Sequence, residues 1–375
     1  MHMNLTELPT PSLVLDVTRV RRNAARMSER VKSMDARLRP HIKTHKCVEI
    51  ARLQTTAQSA ALTVSTLAEA VWFAARGFTN LTYAVPIEPG KFAAAIELAR
   101  DCERLALLTD DLETTEQLNA AARAANVRLE LFLKVDCGYH RCGVEPHTKE
   151  AFEIPRRIHD ASHLHFAGLL THAGHSYHSR SLDELRRIAS HERDALVELA
   201  EALRRENIPV PVVSIGSTPT ISTVEHLAGV DEVRPGNYIF FDAFQATLGS
   251  CRFEDCALTV LSAVVHRDAS RRKVVIDAGA VALSKDRGAV EFDETCGYGR
   301  VLDLEGNDLA LRVGSLSQEH GMIEVSDAAL FDSLKVGTRL RILANHSCLT
   351  AAQHPHYNIL EDGRIVDRWQ IQRGW

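Results

Sequence analysis

No run in the 375-residue chain approaches the roughly 20 consecutive apolar residues that cross a bilayer as a helix. The opening stretch "MHMNLTELPTPS" has no charged-then-apolar leader, so a cytoplasmic location is expected and a membrane partner is not. Basic residues show no excess either: 44 Lys and Arg stand against 49 Asp and Glu, interleaved, for a formal charge of -5. That leaves no basic stripe of the kind nucleic acid demands, and no nucleic-acid partner is expected. Repeats and low-complexity segments are missing, and a composition 45% hydrophobic and 25% charged excludes a disordered or fibrous chain. The eight cysteines are scattered through a long chain, which favours reduced thiols over a disulfide framework. Cys137 and Cys142, like Cys251 and Cys256, stand five apart, which is not zinc-knuckle spacing.

What is present is an alternation of short β-branched runs with helical patterns, the signature of parallel βα units. Candidate strands are "LVLDV" (13–17), "LRPHIKT" (38–44), "LTVS" (62–65), "LTYAV" (81–85), "LALLT" (105–109), "LELFLKVD" (129–136), "HFAGLLTH" (165–172), "VPVVSIG" (210–216) and "DEVRPGNY" (231–238). The clearest helix runs from about Leu182 to Arg205, where Leu185, Ile188, Ala189, Ala195, Leu196, Leu199 and Leu203 approximate a 3.6-residue period. Setting the first strand aside leaves eight, enough to close a (β/α)₈ TIM barrel. From about Ser250 the pattern turns to period-2 runs separated by Gly and Asp turns, which predicts a second, mostly antiparallel β-domain.

A barrel carries its chemistry at the C-terminal ends of its strands. Lys43, Asp136, Arg141, His172, Gly216–Ser217–Thr218 and Gly236–Asn237–Tyr238 all fall there. "IGSTPT" and "RPGNY" offer glycine turns with the hydroxyls of Ser217, Thr218 and Tyr238, a pattern suited to phosphate after the last two strands; two plain Gly/Pro turns are the competing reading. A lysine desolvated at a barrel mouth loses preference for its charged form and can attack a carbonyl, whereas a lysine with its head in solvent is the commoner fate. In "KVDCGYHRCG", Arg141 could bind an anion or pair with Asp136; in "THAGHSYHS", His172, His175 and Tyr177 could move protons or stack, and residue chemistry does not rank these choices. "NHSC" follows an alternating strand, so His346 and Cys348 at i and i+2 are expected on one face, where imidazole and thiolate favour zinc over magnesium or calcium. "QHPH" reads as a turn, and "QEHG" offers Glu319 and His320 for proton handling beside the rival reading of a glycine-bounded turn.

In combination, "TPSLVLD", "RPHIKTHK", "VDCGYHRCGV", "HAGHSY", "SIGSTPT", "EVRPGNYIFFD", "IDAGAVALSKDRG", "QEHG", "NHSC" and the closing "RGW" resemble the alanine-racemase-like, fold-type III pyridoxal-phosphate (PLP) enzymes, and within them the D-serine dehydratase and D-threonine aldolase group. The resemblance implies that Lys43 carries PLP, that Gly216, Ser217, Thr218, Gly236 and Asn237 bind its phosphate, and that Arg141 and Tyr177 lie near the cofactor. It implies a metal on His346 and Cys348, with His-x-Cys pointing to a dehydratase where His-x-Asp would point to an aldolase. It also implies a barrel over 18–249, a discontinuous β-domain from 1–17 and 250–375, and a head-to-tail homodimer. Ala280 and Val281 stand where relatives are expected to carry polar residues. The expected reaction is dehydration of a D-β-hydroxy amino acid, D-serine first, to a keto acid and ammonia. Lys43 would take the α-proton and a divalent ion, zinc or else Mn²⁺ or Co²⁺, would help hydroxide leave. The alternatives are a D-threonine aldolase, using a base such as His175 or His320, and a 3-hydroxy-D-aspartate dehydratase or aldolase.

Overall fold

The computed structural model describes residues 3–55, 60–288 and 290–375. The chain divides into two compact units, one of Arg26–Lys43, Ala51–Gly236 and Gly374–Trp375, the other of Met1–Ala25, Thr44–Ile50 and Asn237–Arg373.

The first unit is a parallel barrel. Its eight strands are Arg37–Leu38, Ala61–Val64, Asn80–Pro86, Arg104–Thr109, Leu129–Lys134, Leu164–Leu170, Val212–Ile215 and Glu232–Val233, paired in chain order apart from the first, which pairs with the last. A parallel bridge between His41 and Thr63 joins the two ends of this sheet, with Thr63 N donating to Pro40 O at 3.0 Å. Helices return the chain between strands, and polar caps start them: Thr66, Asp111, Ser181 and Ser217 each accept from the amide three residues on. The helix expected around Leu182 spans Leu182–Arg205. The barrel is the expected architecture, but "LRPHIKT" and "DEVRPGNY" supply only two strand residues each. Pro40 and Pro235 cannot donate to a ladder, so regular pairing stops there, and Lys43 sits on the single turn Ile42–Thr44, not on a strand face.

The barrel buries polar groups as well as apolar ones. Arg39 Nε donates to Glu232 Oε2 at 2.6 Å, Arg39 Nη1 to Asn80 Oδ1 at 2.9 Å, and Ser214 Oγ to Glu232 Oε1 at 2.8 Å. Arg234 continues the network by donating to Ser214 Oγ and Thr171 O. A buried ion pair of this kind costs desolvation but is satisfied on every side, so losing one partner would cost far more than the pair contributes.

The second unit is built on an eleven-stranded, mostly antiparallel sheet. Strand Leu258–Asp268 is its spine, pairing antiparallel with Ser12–Asp16, Lys273–Ile276 and Arg339–Leu343. The run "LVLDV" lies here, and its strand Ser12–Asp16 also pairs parallel with His356–Glu361. The period-2 runs after Ser250 form strands as expected, except that "GAVAL" gives the one-turn helix Ala280–Leu283. Among the described residues, no helix is long and apolar enough to cross a membrane.

Gly168 in the barrel has φ +133°, and a Cβ there would lie 1.9 Å from Val212 O in the neighbouring strand. Gly168→Ala is therefore expected to lower stability by roughly 3 kcal/mol, read as a reduced urea midpoint of the apoprotein. An unchanged midpoint would show that this strand crossing is not close.

Candidate active site

In the barrel unit, side chains from several strand ends meet at His172. Burial pushes this half-buried imidazole well below its ordinary pKa, and the positive charges of Lys43, Lys134, Arg141 and Arg234 push it further. Lys134 is buried with Nζ donating to Val135 O at 2.9 Å, and burial lowers its pKa. Arg234 is buried too, and desolvation brings it down to about 10. The charge of four cations thus bears on His172 and holds it toward its neutral form. Lys43 itself is exposed, so the chain alone does not supply the desolvation expected of it, and its amide N lies 3.4 Å from His41 Nδ1.

The loop after strand Leu129–Lys134 is shaped by Asp136, whose Oδ1 accepts from the amides of Gly138, Tyr139 and His140 at 2.9, 2.9 and 3.1 Å. Oδ2 lies 3.2 Å from His140 Nδ1. Burial alone would raise the pKa of this carboxyl; the three amides and His140 bring it below the usual range. Asp136 is thereby committed to the loop, and the exposed Arg141 lies over the Tyr139 ring at 5.2 Å. His175 sits 6.4 Å from the Tyr139 ring with its Nδ1 buried and without a hydrogen-bond partner; burial lowers its pKa. Tyr177 sits 6.4 Å from His172.

At the next strand end, Gly216 has φ +108°, and a Cβ would come within 2.7 Å of Ile221 Cγ1. Ser217 caps the helix Thr218–Thr223, and its Oγ lies 3.2 Å from Ser176 Oγ. Ser217, Thr218 and Gly236 are buried. A bare glycine, hydroxyls in a buried loop and a surplus of cations suit an anionic phosphate, and an amine on the same rim suits its aldehyde. The Gly216 amide is not the donor the sequence suggested, because it donates to Glu192 Oε1 at 3.2 Å.

In the second unit, His346 and Cys348 come together, but not on a strand face. The strand ends at Leu343; His346 is the N-cap residue of the short helix Ser347–Ala351, and Cys348 lies in its first turn. His346 Nδ1 is 2.7 Å from Asp286 Oδ2, which leaves Nε2 as the second ring donor atom. Cys348 Sγ lies 3.3 Å from Thr44 Oγ1 and accepts from Asn237 Nδ2 at 3.5 Å. The same Asn237 nitrogen donates to Asp242 Oδ2 at 2.7 Å and to Ser347 Oγ at 3.0 Å, while Asn237 Oδ1 is buried without a hydrogen-bond partner. Asp242 Oδ2 also accepts from Ser347 N at 2.9 Å.

Burial opposes charge on both donors, yet the imidazole is raised well above its ordinary value by Asp286 and Cys348. The thiol is lowered by its hydrogen bond to His346, by the charge there and by Thr44. A cysteine sulfur beside an imidazole oriented by a carboxylate is a donor set that fits a borderline-soft divalent ion. Among the described residues no group of three or more His, Cys, Asp or Glu is placed to hold a metal.

Asn237 and Tyr238 belong to this second unit; the Asn237 side chain is engaged as described and Tyr238 is fully buried. Glu319 and His320 are exposed on the turn between Ser315–Leu316 and Gly321–Glu324, where Glu319 Oε1 accepts from Gln318. His354 is buried with Nε2 3.0 Å from Ala282 O, consistent with a turn at "QHPH". Asp286, Asp242, Thr44, Lys134, Arg234 and Glu192 were not anticipated. All but Glu192 lie inside quoted motifs, yet nothing in spacing assigns them these partners; Asp286, for one, meets a histidine 60 residues on.

Residues 15–243 match the family "Alanine racemase, N-terminal domain", and residues 257–360 match "Putative serine dehydratase domain". The chain is 39% identical to the D-threo-3-hydroxyaspartate dehydratase of Delftia sp. (strain HT23), covering 100% of both, and superposes on the solved structure of that enzyme with a TM-score of 0.96. Other solved structures of D-threo-3-hydroxyaspartate dehydratase, each 39% identical to this chain, include a cysteine-to-alanine variant in a metal-free form and a histidine-to-alanine variant, the two positions standing two apart. It is 32% identical to the D-serine dehydratase of Dictyostelium discoideum, over 99% of this chain and 98% of that one. The structure of D-threonine aldolase from Filomicrobium marinum is similar at 27% identity and a TM-score of 0.85, covering 99% and 97%. The chain therefore belongs to the fold-type III, PLP-dependent family that joins an alanine racemase N-terminal domain to a D-serine dehydratase domain.

The depressed pKa of His172 has a consequence for stability. The unfolded chain takes up a proton at this side chain near pH 6.5 and the folded chain does not, so stability is full above that pH and falls as the pH drops toward the folded value. In urea titrations between pH 7.5 and 5, His172→Gln should flatten part of this loss; an equal slope in both proteins would contradict the assignment.

Proposed function

We propose that this chain is a PLP- and metal-dependent dehydratase that removes water from a D-configured β-hydroxy amino acid, D-serine or D-threo-3-hydroxyaspartate, to give a keto acid and ammonia. The observation that carries the reading is the His346–Cys348 pair, oriented by Asp286, in a chain that aligns end to end with a dehydratase. Bound PLP supplies an electron sink at Cα and a divalent ion, zinc by its donors, supplies a Lewis acid for the β-hydroxyl.

The chain's own residues do the rest. Lys43 holds the cofactor and takes the α-proton; the cations around His172 keep this rim receptive to anions. Within the barrel unit Arg141, Tyr177, Gly216, Ser217, Thr218 and Gly236 form the cofactor's surroundings. Asp286 fixes the imidazole so that His346 Nε2 and Cys348 Sγ are presented as donors. His175 is the candidate for delivering a proton to the leaving oxygen. Glu319 and His320, on an exposed turn, are assigned proton handling at the mouth of a second copy in a homodimer. The division of labour is a barrel over 18–249 for the cofactor and a β-domain from 1–17 and 250–375 for the ion. All eight cysteines are free, which suits the reducing cytoplasm.

The purified holoenzyme is expected to release keto acid and ammonia in equal amounts from D-serine or D-threo-3-hydroxyaspartate. Glycine and an aldehyde from D-threonine, with no keto acid from any substrate, would instead mark an aldolase. Borohydride should fix the cofactor on Lys43 and on nothing in Lys43→Ala. Cys348→Ala should keep the cofactor absorbance while kcat falls about a hundredfold or more, the scale of a lost Lewis acid.

A further inference from the structure

Glu192 stands in the middle of helix Leu182–Arg205, on the face that buries Leu185, Ala189, Ala195, Leu196 and Leu199, and it is wholly buried. An ionisable residue on an apolar helix face is costly unless it is given partners. Its partners are main-chain amides of two different loops. Oε1 accepts from Ala173 N at 2.7 Å and from Gly216 N at 3.2 Å. Burial raises the pKa of this carboxyl above its ordinary value, opposed only in part by the Thr220 side chain, the two amides and the charge of Arg234, and Oε2 is buried without a hydrogen-bond partner.

The placement of these amides is informative. Strands Leu164–Leu170 and Val212–Ile215 are neighbours, and the last bond between them in this direction is Thr171 N to Ser214 O at 3.0 Å. Beyond it the two backbones part, one into the His172–Tyr177 loop and the other into the Gly216–Thr218 turn. Ala173 N and Gly216 N have no strand opposite to accept them, and the Glu192 carboxylate stands in for the missing ladder. The turn is then completed locally, with Ser217 N donating to Thr220 Oγ1 at 3.0 Å and Thr220 N to Ser217 Oγ at 3.3 Å. Glu192 thus fixes where Gly216 lies, and with it the Ser217 hydroxyl that meets Ser176 from the other loop.

We propose that Glu192 is a positioning residue for phosphate, a buried carboxylate that splices the loops after two adjacent barrel strands and so sets the shape of the Gly216–Thr218 cradle. The inference rests on the functional reading above, in that the cradle is taken to hold the phosphate of PLP. It predicts a split between the two halves of the cofactor: Glu192 governs the phosphate end and leaves the aldehyde end, which reacts with Lys43, untouched.

The test compares wild type with Glu192→Gln, which keeps an acceptor oxygen, Glu192→Asp, which withdraws the carboxylate by about 1.5 Å, and Glu192→Leu. Each cofactor-free protein is titrated with PLP, with pyridoxal, which lacks the phosphate, and with inorganic phosphate as competitor of PLP. Absorbance of the imine at Lys43 is the readout. Glu192→Leu is expected to weaken PLP and phosphate 10- to 100-fold and to leave pyridoxal within about 3-fold of wild type. Glu192→Gln should restore PLP affinity to within about 5-fold, and Glu192→Asp should fall between, so the series remains decisive if the leucine variant does not fold. Equal weakening of PLP and pyridoxal, or no weakening of either in Glu192→Asp and Glu192→Leu, would overturn the inference. Wild type that forms no imine with either aldehyde would overturn the functional reading instead; calorimetric binding of inorganic phosphate, lost in Glu192→Leu and kept in Glu192→Gln, would still uphold the role of Glu192.

Discussion

Closure of the parallel ring at His41 and Thr63 is the constraint on which the barrel rim depends. Seven of the eight strand contacts are ordinary ladders, but the eighth runs past Pro40, a residue that can accept but not donate. Thr63 donates to Pro40 O, and His41 donates to Pro235 O, so the two proline-broken strands are still tied on both sides. Only a closed ring brings the end of every strand to one rim, and only there do Lys43, Lys134, Arg141 and Arg234 share an electrostatic neighbourhood.

That neighbourhood has a definite sign. Below the rim, Arg39 and Arg234 are compensated by Glu232 and by the Ser214 hydroxyl within the barrel. At the rim the carboxyl groups are already committed: Asp136 to the amides of its own loop, Glu192 to Ala173 and Gly216. The exposed Lys43 and Arg141 are the cations left to meet a ligand, and His172 is held neutral under their charge. Carboxyl groups here serve geometry while exposed positive side chains remain at the rim, an arrangement that suits a ligand carrying negative charge.

Much of the architecture was legible because it rests on period. The helix Leu182–Arg205 and the six longer barrel strands follow from apolar spacing, and the change to alternation after Ser250 marks the β-unit. The two short strands end sooner than apolar spacing predicts because Pro40 and Pro235 lack the donors that would continue the ladder. "NHSC" illustrates a different limit. Its pairing of His346 with Cys348 was visible, but the reason given, a shared strand face, was not the one the fold uses; a cap and a first helical turn bring the side chains together. Asp286 and Glu192 were illegible for a simpler reason: each acts across the fold on partners that no local spacing can indicate.

The helix Ser347–Ala351 is too short to hold its own form in water, since so few residues cannot repay the cost of nucleating a helix. Its shape is borrowed from elsewhere in the unit, from Asp242 and Asn237 at its start, from Leu283 O accepting the Thr350 hydroxyl, and from Asp286 beside the imidazole. Portability is what this forfeits. Grafted alone onto another scaffold, the tetrapeptide "NHSC" would carry the donor atoms and lose their arrangement, and an engineer moving the pair would have to move those four distant supports along with it.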